Sequence, residues 1–298
     1  TYGSLKFGAK HIQSFTKQEV QQNGVFKSDL NQMETSVFSE WNHSKDKFSC
    51  SLGLKANRVH FSNISINKSY YNFLPKAMLG YRLNENSFIR YDVEMSQTNP
   101  TLVELTDTEI RLDPYLAERG NLLLKPYSNL NNNLFYEHKK GLFTFNANLR
   151  HHYKHNPIME SVKEQGNIFL IIPENMKSWN KYNAEMNLKV GMIKNILQFS
   201  LTGGYNHFNS QGNNYSHEYS NFYYSANVLA MYKKWMFIVQ IQPFDEKLYG
   251  ETVIKSGNYH YLAIQYNTDN FSFGIGAFNP FKNVSRTVIE NKNNQAPF

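Results

Sequence analysis

Three histidines, His151, His152 and His155, stand close together in the chain. Imidazole is the commonest protein ligand for a metal. Adjacent residues of an extended strand point to opposite faces, however, so His151 and His152 cannot converge on one ion. No Cys, Asp or Glu lies beside them at ligand spacing, and solvated loop histidines are the simpler reading. Asp92 and Glu94 share one face of a ladder, as a carboxylate pair for acid–base work would. Arg90 lies on that same face, which makes ion pairing the better account of both acids. No G-x-S-x-G elbow, P-loop or dinucleotide fingerprint occurs in a strand-to-helix setting. Gly203-Gly204 and Gly274-x-Gly276 read as strand glycines at bends or close approaches. The aromatic runs Tyr219 to Tyr224 and Tyr259 to Tyr261 could stack on sugars or chelates, but an interfacial girdle is the preferred reading. We therefore expect no catalytic residue, no metal site and no cofactor: the chain is not an enzyme.

The elements that carry these residues are alternating ladders. Tyr182, Ala184, Met186, Leu188, Val190 and Met192 fall on one face, with Asn183, Glu185, Asn187 and Lys189 on the other. Lys194-Asn195 turns the chain. The next ladder then sets Leu197, Phe199, Leu201, Gly203 and Tyr205 against Gln198, Ser200, Thr202 and Asn206. Period-two alternation over about ten residues is what a tilted strand needs to cross a bilayer. The pattern recurs along nearly the whole sequence. No apolar run approaches the roughly 20 residues of a spanning helix.

Charge follows the alternation. One face collects Leu5, Phe7, Val37, Trp41, Leu52, Leu54, Leu79, Tyr91, Phe145, Leu149, Phe222, Val239 and Ile264, and contains no Asp, Glu, Lys or Arg. The other carries Lys6, Glu40, Lys55, Lys76, Arg82, Arg90, Asp92, Glu94, Glu137, Arg150, Lys154, Glu185 and Lys189. A basic residue at the bilayer midplane costs roughly 2–4 kcal/mol on the lipid side of a barrel and is tolerated on the lumen side. About thirteen strands enclose a bore too wide for side chains to fill. The apolar face must then look outward and the ionic face must line water. The net charge of +7 is scattered over turns and one strand face, which argues against nucleic acid. The single cysteine, Cys50, reads as a small apolar ladder residue.

Short and long connections alternate. The short ones are Ser44 to Lys47, Asn84 to Asn86, Lys139 to Gly141, Lys194-Asn195, Lys233-Lys234 and Thr268 to Asn270. The long, irregular ones are about Gln18 to Gln32, Phe61 to Tyr71, Thr98 to Lys125, His155 to Trp179, Asn209 to Glu218 and Lys247 to Asn258. This rhythm belongs to an up-and-down barrel with periplasmic turns and extracellular loops, whereas a Greek-key sandwich lacks it. The leucine- and acid-rich loop from Thr98 to Lys125, and the loop from His155 to Trp179 with its apolar Ile168 to Ile172 stretch, are the best candidates for ligand contact. Individual ligand-binding residues stay unassigned. Asn279 to Phe298 reads as loop, which leaves the last ladder with an open edge.

Several segments resemble the C-terminal β-barrel of TonB-dependent outer-membrane receptors, in the branch called the outer membrane protein beta-barrel family. Leu5-Lys6-Phe7-Gly8-Ala9-Lys10 is similar to its Gly-Ala-Lys strand, and Glu34 to Trp41 with Gly53-Leu54-Lys55 to a following hairpin. Phe73-Leu74-Pro75 and Tyr81 to Ser87 resemble its next strand and asparagine turn. Gly120-Asn121 with Leu124-Lys125-Pro126 resembles its Gly-Asn-Pro-Asn-Leu-Lys-Pro-Glu signature, differing at Leu122, Leu123 and Tyr127. The resemblance implies a 22-stranded barrel with a plugged lumen. It also implies a TonB-gripping segment N-terminal to the plug, and neither part is in this sequence. The chain is accordingly expected to be a single partial-barrel domain over residues 1–298, processed or cut from a longer protein, with its final strands beyond Phe298.

The expected class is thus an all-β, antiparallel, transmembrane up-and-down barrel in the Gram-negative outer membrane. Its expected activity is TonB-driven uptake of a scarce nutrient: chelated iron, a vitamin, a peptide or a glycan. Expected partners are outer-membrane lipid and lipopolysaccharide, the TonB energy-coupling system acting through the plug, the nutrient itself and a surface lipoprotein. A passive pore, adhesin or assembly scaffold is the first alternative. A secreted glycan-binding β-protein is the second.

Overall fold

The computed structural model describes residues 3–21, 25–63, 65–193, 196–242, 246–256, 259–280 and 287–292. Strands β1 (Ser4–Gln21), β2 (Val25–Lys45), β3 (Phe48–Ser62), β4 (Asn67–Asn84) and β5 (Ser87–Thr98) open the chain. Two short strands, β6 (Ile110–Arg111) and β7 (Leu116–Glu118), lie in the loop before β8 (Tyr127–Lys140) and β9 (Phe143–His155). A hairpin of β10 (Ile158–Gln165) and β11 (Ile168–Asn175) precedes β12 (Ser178–Ile193), β13 (Leu197–Gln211), β14 (Ser216–Tyr232) and β15 (Trp235–Gln242). A second hairpin, β16 (Lys247–Tyr249) and β17 (Thr252–Ser256), comes before β18 (Tyr259–Asn267), β19 (Ser272–Phe278) and β20 (Thr287–Asn291). No helix occurs among the described residues.

Thirteen of these strands form one antiparallel sheet in which each pairs with the barrel strands next to it in sequence, from β1 to β19. Long ladders make it continuous: β1 pairs β2 from Ser4↔Asn42 to Gln21↔Val25, and β12 pairs β9 from Ser178↔His155 to Val190↔Phe143. Pro75 has no N–H to give, and it sits where β4 pairs with β3 but not yet with β5, whose ladder begins at Lys76↔Glu94. The expected short turns close one end of the sheet, apart from Lys194-Asn195, which lies outside the described residues.

The apolar face is open. Leu5, Phe7, Val37, Met186, Phe222 and Ile275 expose between 57% and 84% of their surface. Water would not tolerate so continuous an apolar sheet face, whereas hydrocarbon covers it without penalty. The opposite face holds the charges in pairs. Lys55 Nζ donates to Glu34 at 2.8 Å, Lys76 pairs with Glu40, and Arg90 Nε meets Asp92 at 2.8 Å. Loops fold back against this second face, which marks it as the lumen side.

The long connections depart from the sequence expectation. Strand structure runs into three of them: β1 continues to Gln21 and β2 starts at Val25, β4 starts at Asn67, and β13 continues to Gln211 with β14 starting at Ser216. The reason is packing, because the inner face turns apolar near the extracellular end. Leu30, Val59 and Phe61 are buried there with the loop residues Ile66, Leu102, Leu105, Leu124 and Ile158. The remaining loops are not irregular either. They form a four-stranded sheet, β10-β11-β7-β6, with β11 and β7 parallel, and a three-stranded sheet, β16-β17-β20. The stretch read as a terminal loop contains β20, whose Ile289 pairs Ile254 and whose Glu290 carboxylate accepts from Lys255 at 2.8 Å.

Gly141 opens the two-residue turn between β8 and β9 with φ of 59°, and open space surrounds its Cα. Its role is therefore purely conformational. Gly141→Ala is expected to cost about 1 kcal/mol in urea unfolding from liposomes, and Gly141→Asn to recover most of that, because Asn visits the left-handed region more readily. Equal stability of all three proteins would exclude this account of the turn.

Candidate functional site

Two spaces are open to a solute. The lower is a basin of about 690 Å³ on the lumen wall, lined by inner-face residues of β8, β9 and β12 to β14. Its polar groups are tied across four strands. Arg150 reaches Glu185 at 3.2 Å and Asn183 at 3.2 Å, and the Tyr223 hydroxyl donates to Glu185 at 2.7 Å. The Asn183 amide donates to Asn206 at 2.9 Å and to Tyr223 at 3.0 Å. Gly204 makes room for this network, since a Cβ there would stand 2.3 Å from the Tyr223 ring. Ion pairs and amides locked in this way give a rigid, polar wall.

Above it, the loops enclose a cavity of about 390 Å³. Val103, Ile158, Met159, Val162, Ile171 and Ile254 give it apolar walls, and Glu104, Glu118, Glu160 and Glu251 bring acidic groups to its lining. Its guanidinium, Arg119, is 3.7 Å from Asp107. An apolar pocket with a few convergent polar groups is the usual form of a small-ligand site.

The Gly-Asn pair of the loop motif builds one wall. A Cβ on Gly120 would stand 2.5 to 2.7 Å from the carbonyls of Thr106, Val103 and Glu104, so no larger residue fits. Asn121 then donates to Pro173 O at 3.1 Å and accepts from Leu123 N at 2.9 Å. Asn175 bonds Lys125 through both its backbone groups, at 2.9 and 3.0 Å, and donates to Asn156 O at 2.9 Å. These contacts join the first loop to the second.

The other wall is the β16–β17 hairpin, held onto the barrel rim by side chains that face inward. Trp179 Nε1 donates to Leu248 O at 2.7 Å, Tyr249 Oη donates to Ile158 O at 2.9 Å, and Tyr219 Oη donates to Glu246 at 2.6 Å. Met159, Met176, Trp179, Phe208, Leu248 and Val253 are buried together beneath it. Burial, with Tyr127, Glu104, Glu160 and Tyr215 nearby, pushes the Tyr249 hydroxyl from 10 up to about 12. A raised pKa favours the protonated donor in the folded state. Its contribution is full below pH 10 and lost as pH rises toward 12.

Most residues singled out in the sequence find places here, though not always those expected. His151 faces outward, stacked on Tyr182 at 4.5 Å and bonded to Asn180 at 3.0 Å, while His152 faces inward against Trp179 at 5.3 Å. No metal-binding group of His, Cys, Asp or Glu occurs among the described residues. Asp92 is ion-paired with Arg90, as expected. The girdle reading of Tyr219 to Tyr224 holds for Phe222 and Tyr224, which are 84% and 55% exposed on the outer face. It fails for Tyr219 and Tyr223, whose hydroxyls are bonded in the lumen. In the Ile168 to Ile172 stretch, Leu170 and Ile172 are buried in the loop sheet, and Ile171 reaches the cavity. The hairpin wall was missed because β16 and β17 span only three and five residues, too few to show a period.

Comparison with known proteins agrees with this geometry. Among curated proteins none matches the chain. Solved structures do. A structure titled as the copper transporter OprC superposes with a TM-score of 0.68 at 10% identity, covering 94% of this chain and 48% of that one. The siderophore receptor PirA from Acinetobacter baumannii gives 0.67 at 13% identity, with the same coverages. The FrpB iron transporter from Neisseria meningitidis gives 0.62 at 11%, again over 94% and 48%. The chain therefore spans about half the length of these structures, and the likeness is one of fold, that of TonB-dependent receptor barrels. The family model for outer membrane protein beta-barrels matches residues 5–296, and with its apolar face outward and its charges inward, this chain belongs to that family and resides in the outer membrane.

Proposed function

We propose that this chain is the barrel wall and part of the extracellular loop canopy of a TonB-dependent importer for a scarce nutrient. The observation that carries the reading is the vertical order of the inner face: a loop-enclosed cavity of about 390 Å³ stands above a polar basin of about 690 Å³. Cargo is captured among the loops and then passes a hydrated wall whose charges are already paired. A wall of satisfied ion pairs holds no passing solute tightly, which suits transit. The names of the similar structures, which refer to copper, iron and siderophores, support a metal or metal–chelate cargo. The plug and the TonB-gripping segment belong to the family's complete receptors, and energy enters the reading only through them.

The test is uptake by the native host. Deleting the gene is expected to abolish growth on one limiting nutrient from a panel of free copper, ferric siderophores and haem. Removing TonB is expected to give the same loss. Uptake that persists without TonB would overturn active import and leave a passive pore.

A further inference from the structure

Resting on the importer reading and narrowing its cargo, we infer that the loop cavity selects for positive charge: its ligand carries an ammonium or guanidinium group on a compact apolar body. The cavity is a slot between two small sheets. One wall is a face of the four-stranded sheet, where strand register sets Val162, Ile171, Glu118 and Ile110 in one row and Glu160 beside Pro173 in the next. The facing wall belongs to the three-stranded sheet, where Tyr249, Thr252 and Asn291 form a row and Ile254 follows along β17. All of these residues line the same space of about 390 Å³.

The charges of the slot do not balance. Glu104, Glu118, Glu160 and Glu251 line it, against one guanidinium, Arg119, which lies 3.7 Å from Asp107. None of the four carboxylates has a Lys or Arg partner among the described residues. Glu104 accepts from Thr101 N at 2.7 Å and from Thr101 Oγ1 at 2.8 Å, both uncharged donors. Glu118 stands in the middle of an otherwise apolar row. A carboxylate in such a place gives up part of its hydration, and only an opposite charge offsets that loss fully. Lys154 does not supply it. Its ammonium is packed among the rings of Tyr127, Trp179 and Tyr249, at 5.8, 5.0 and 5.1 Å, and lies outside the cavity lining.

A second feature calls for a donor at the hairpin tip. His217 Nε2 is buried with no hydrogen-bond partner, 3.9 Å from Glu251 Oε1. A ligand nitrogen set ~2.8 Å from each atom would bridge the two and satisfy both, with the histidine proton on Nδ1. An anionic ligand would instead meet four like charges between apolar walls. A bare metal ion needs several ligands at once, and no three of His, Cys, Asp and Glu converge among the described residues. The carboxylates therefore act singly, as acceptors for N–H groups, while Val162, Ile171, Ile110 and Ile254 cover the apolar body.

The experiment titrates the full-length receptor in nanodiscs, by calorimetry, with three probes of one shape: adamantan-1-amine, adamantan-1-ol and adamantane-1-carboxylate. Wild-type protein is expected to bind the amine at least tenfold more tightly than the alcohol, and the carboxylate more weakly than either. Glu118→Gln is expected to weaken the amine about tenfold, the loss of one charge-assisted hydrogen bond, and to leave the alcohol within about twofold. Glu174→Gln, on the other face of the same sheet and paired with Lys163, leaves all three unchanged. Equal affinity of wild-type protein for amine and carboxylate would overturn the inference, and that arm needs no variant to fold. Amine affinity unchanged in both Glu118→Gln and Glu160→Gln would overturn it as well. Binding is read without TonB, so the two readings fail separately. Uptake that persists without TonB removes active import and leaves the charge preference standing, whereas a missing amine preference does the reverse.

Discussion

Met186→Lys is expected to destabilise the protein by about 2–4 kcal/mol in liposomes, while Ser225→Lys changes stability by less than about 0.5 kcal/mol. Both positions lie near mid-height of neighbouring parts of one sheet. Met186 is on β12, opposite Ala147 and Gly203, and 63% of its surface is exposed on the apolar face. Ser225 is on β14, opposite Thr202, and lines the polar basin. A lysine is intrinsically no worse in one strand than in the other. The difference comes from the solvent each side chain meets, because an ammonium in hydrocarbon has no partner and the barrel wall blocks its route to the lumen. Urea titration of the refolded protein in thin-bilayer liposomes reads the two costs directly. Equal costs at the two sites would mean that the apolar rows do not face lipid, and the membrane reading of the fold would fail with them.

The barrel wall was legible in the sequence because its physics is local and repetitive. Met186 and Glu185 alternate because adjacent residues of a strand meet different solvents, and that rule can be read two residues at a time. The loop canopy was not legible for the opposite reason. Leu30, Val59 and Phe61 sit on the lumen face, where the pattern calls for polar residues, and they break the alternation in favour of contacts with Leu102, Leu105 and Leu124 far along the chain. A reading by period takes the strand to end where the contrast ends, and so β1 and β2 were cut short. Tyr219 and Tyr223 carry the same lesson: an aromatic run looks uniform in composition, yet the pleat sends its members to opposite sides. The Gly-Asn motif was visible as a pattern, but its cause is the three carbonyls packed against Gly120.

Trp179→Ala is expected to release the β16–β17 hairpin from the rim while leaving the barrel wall folded. Trp179 is 6% exposed, and its indole touches four different neighbours. It donates to Leu248 O at 2.7 Å, packs edge-on to His152 at 5.3 Å, meets Phe208 at 6.0 Å, and lies 5.0 Å from Lys154 Nζ. Truncating a buried tryptophan typically costs about 3–5 kcal/mol. The hairpin's own strands are only three and five residues long, so the loss falls mainly on it, whereas the long ladders of β9, β12 and β13 do not depend on this contact. Trypsin added to intact cells is expected to cut at Lys247 or Lys255 at least tenfold faster in the variant. Trp179→Phe keeps the packing and loses only the indole bond, about 1 kcal/mol, so its cleavage rate falls between the two. Tyr249, Thr252 and Ile254 of this hairpin line the loop cavity, so nutrient uptake should fall in the same order as the protease protection. If protection were lost and uptake kept, the cavity would be a by-product of loop packing, and cargo capture would have to be sought on the lumen wall below it.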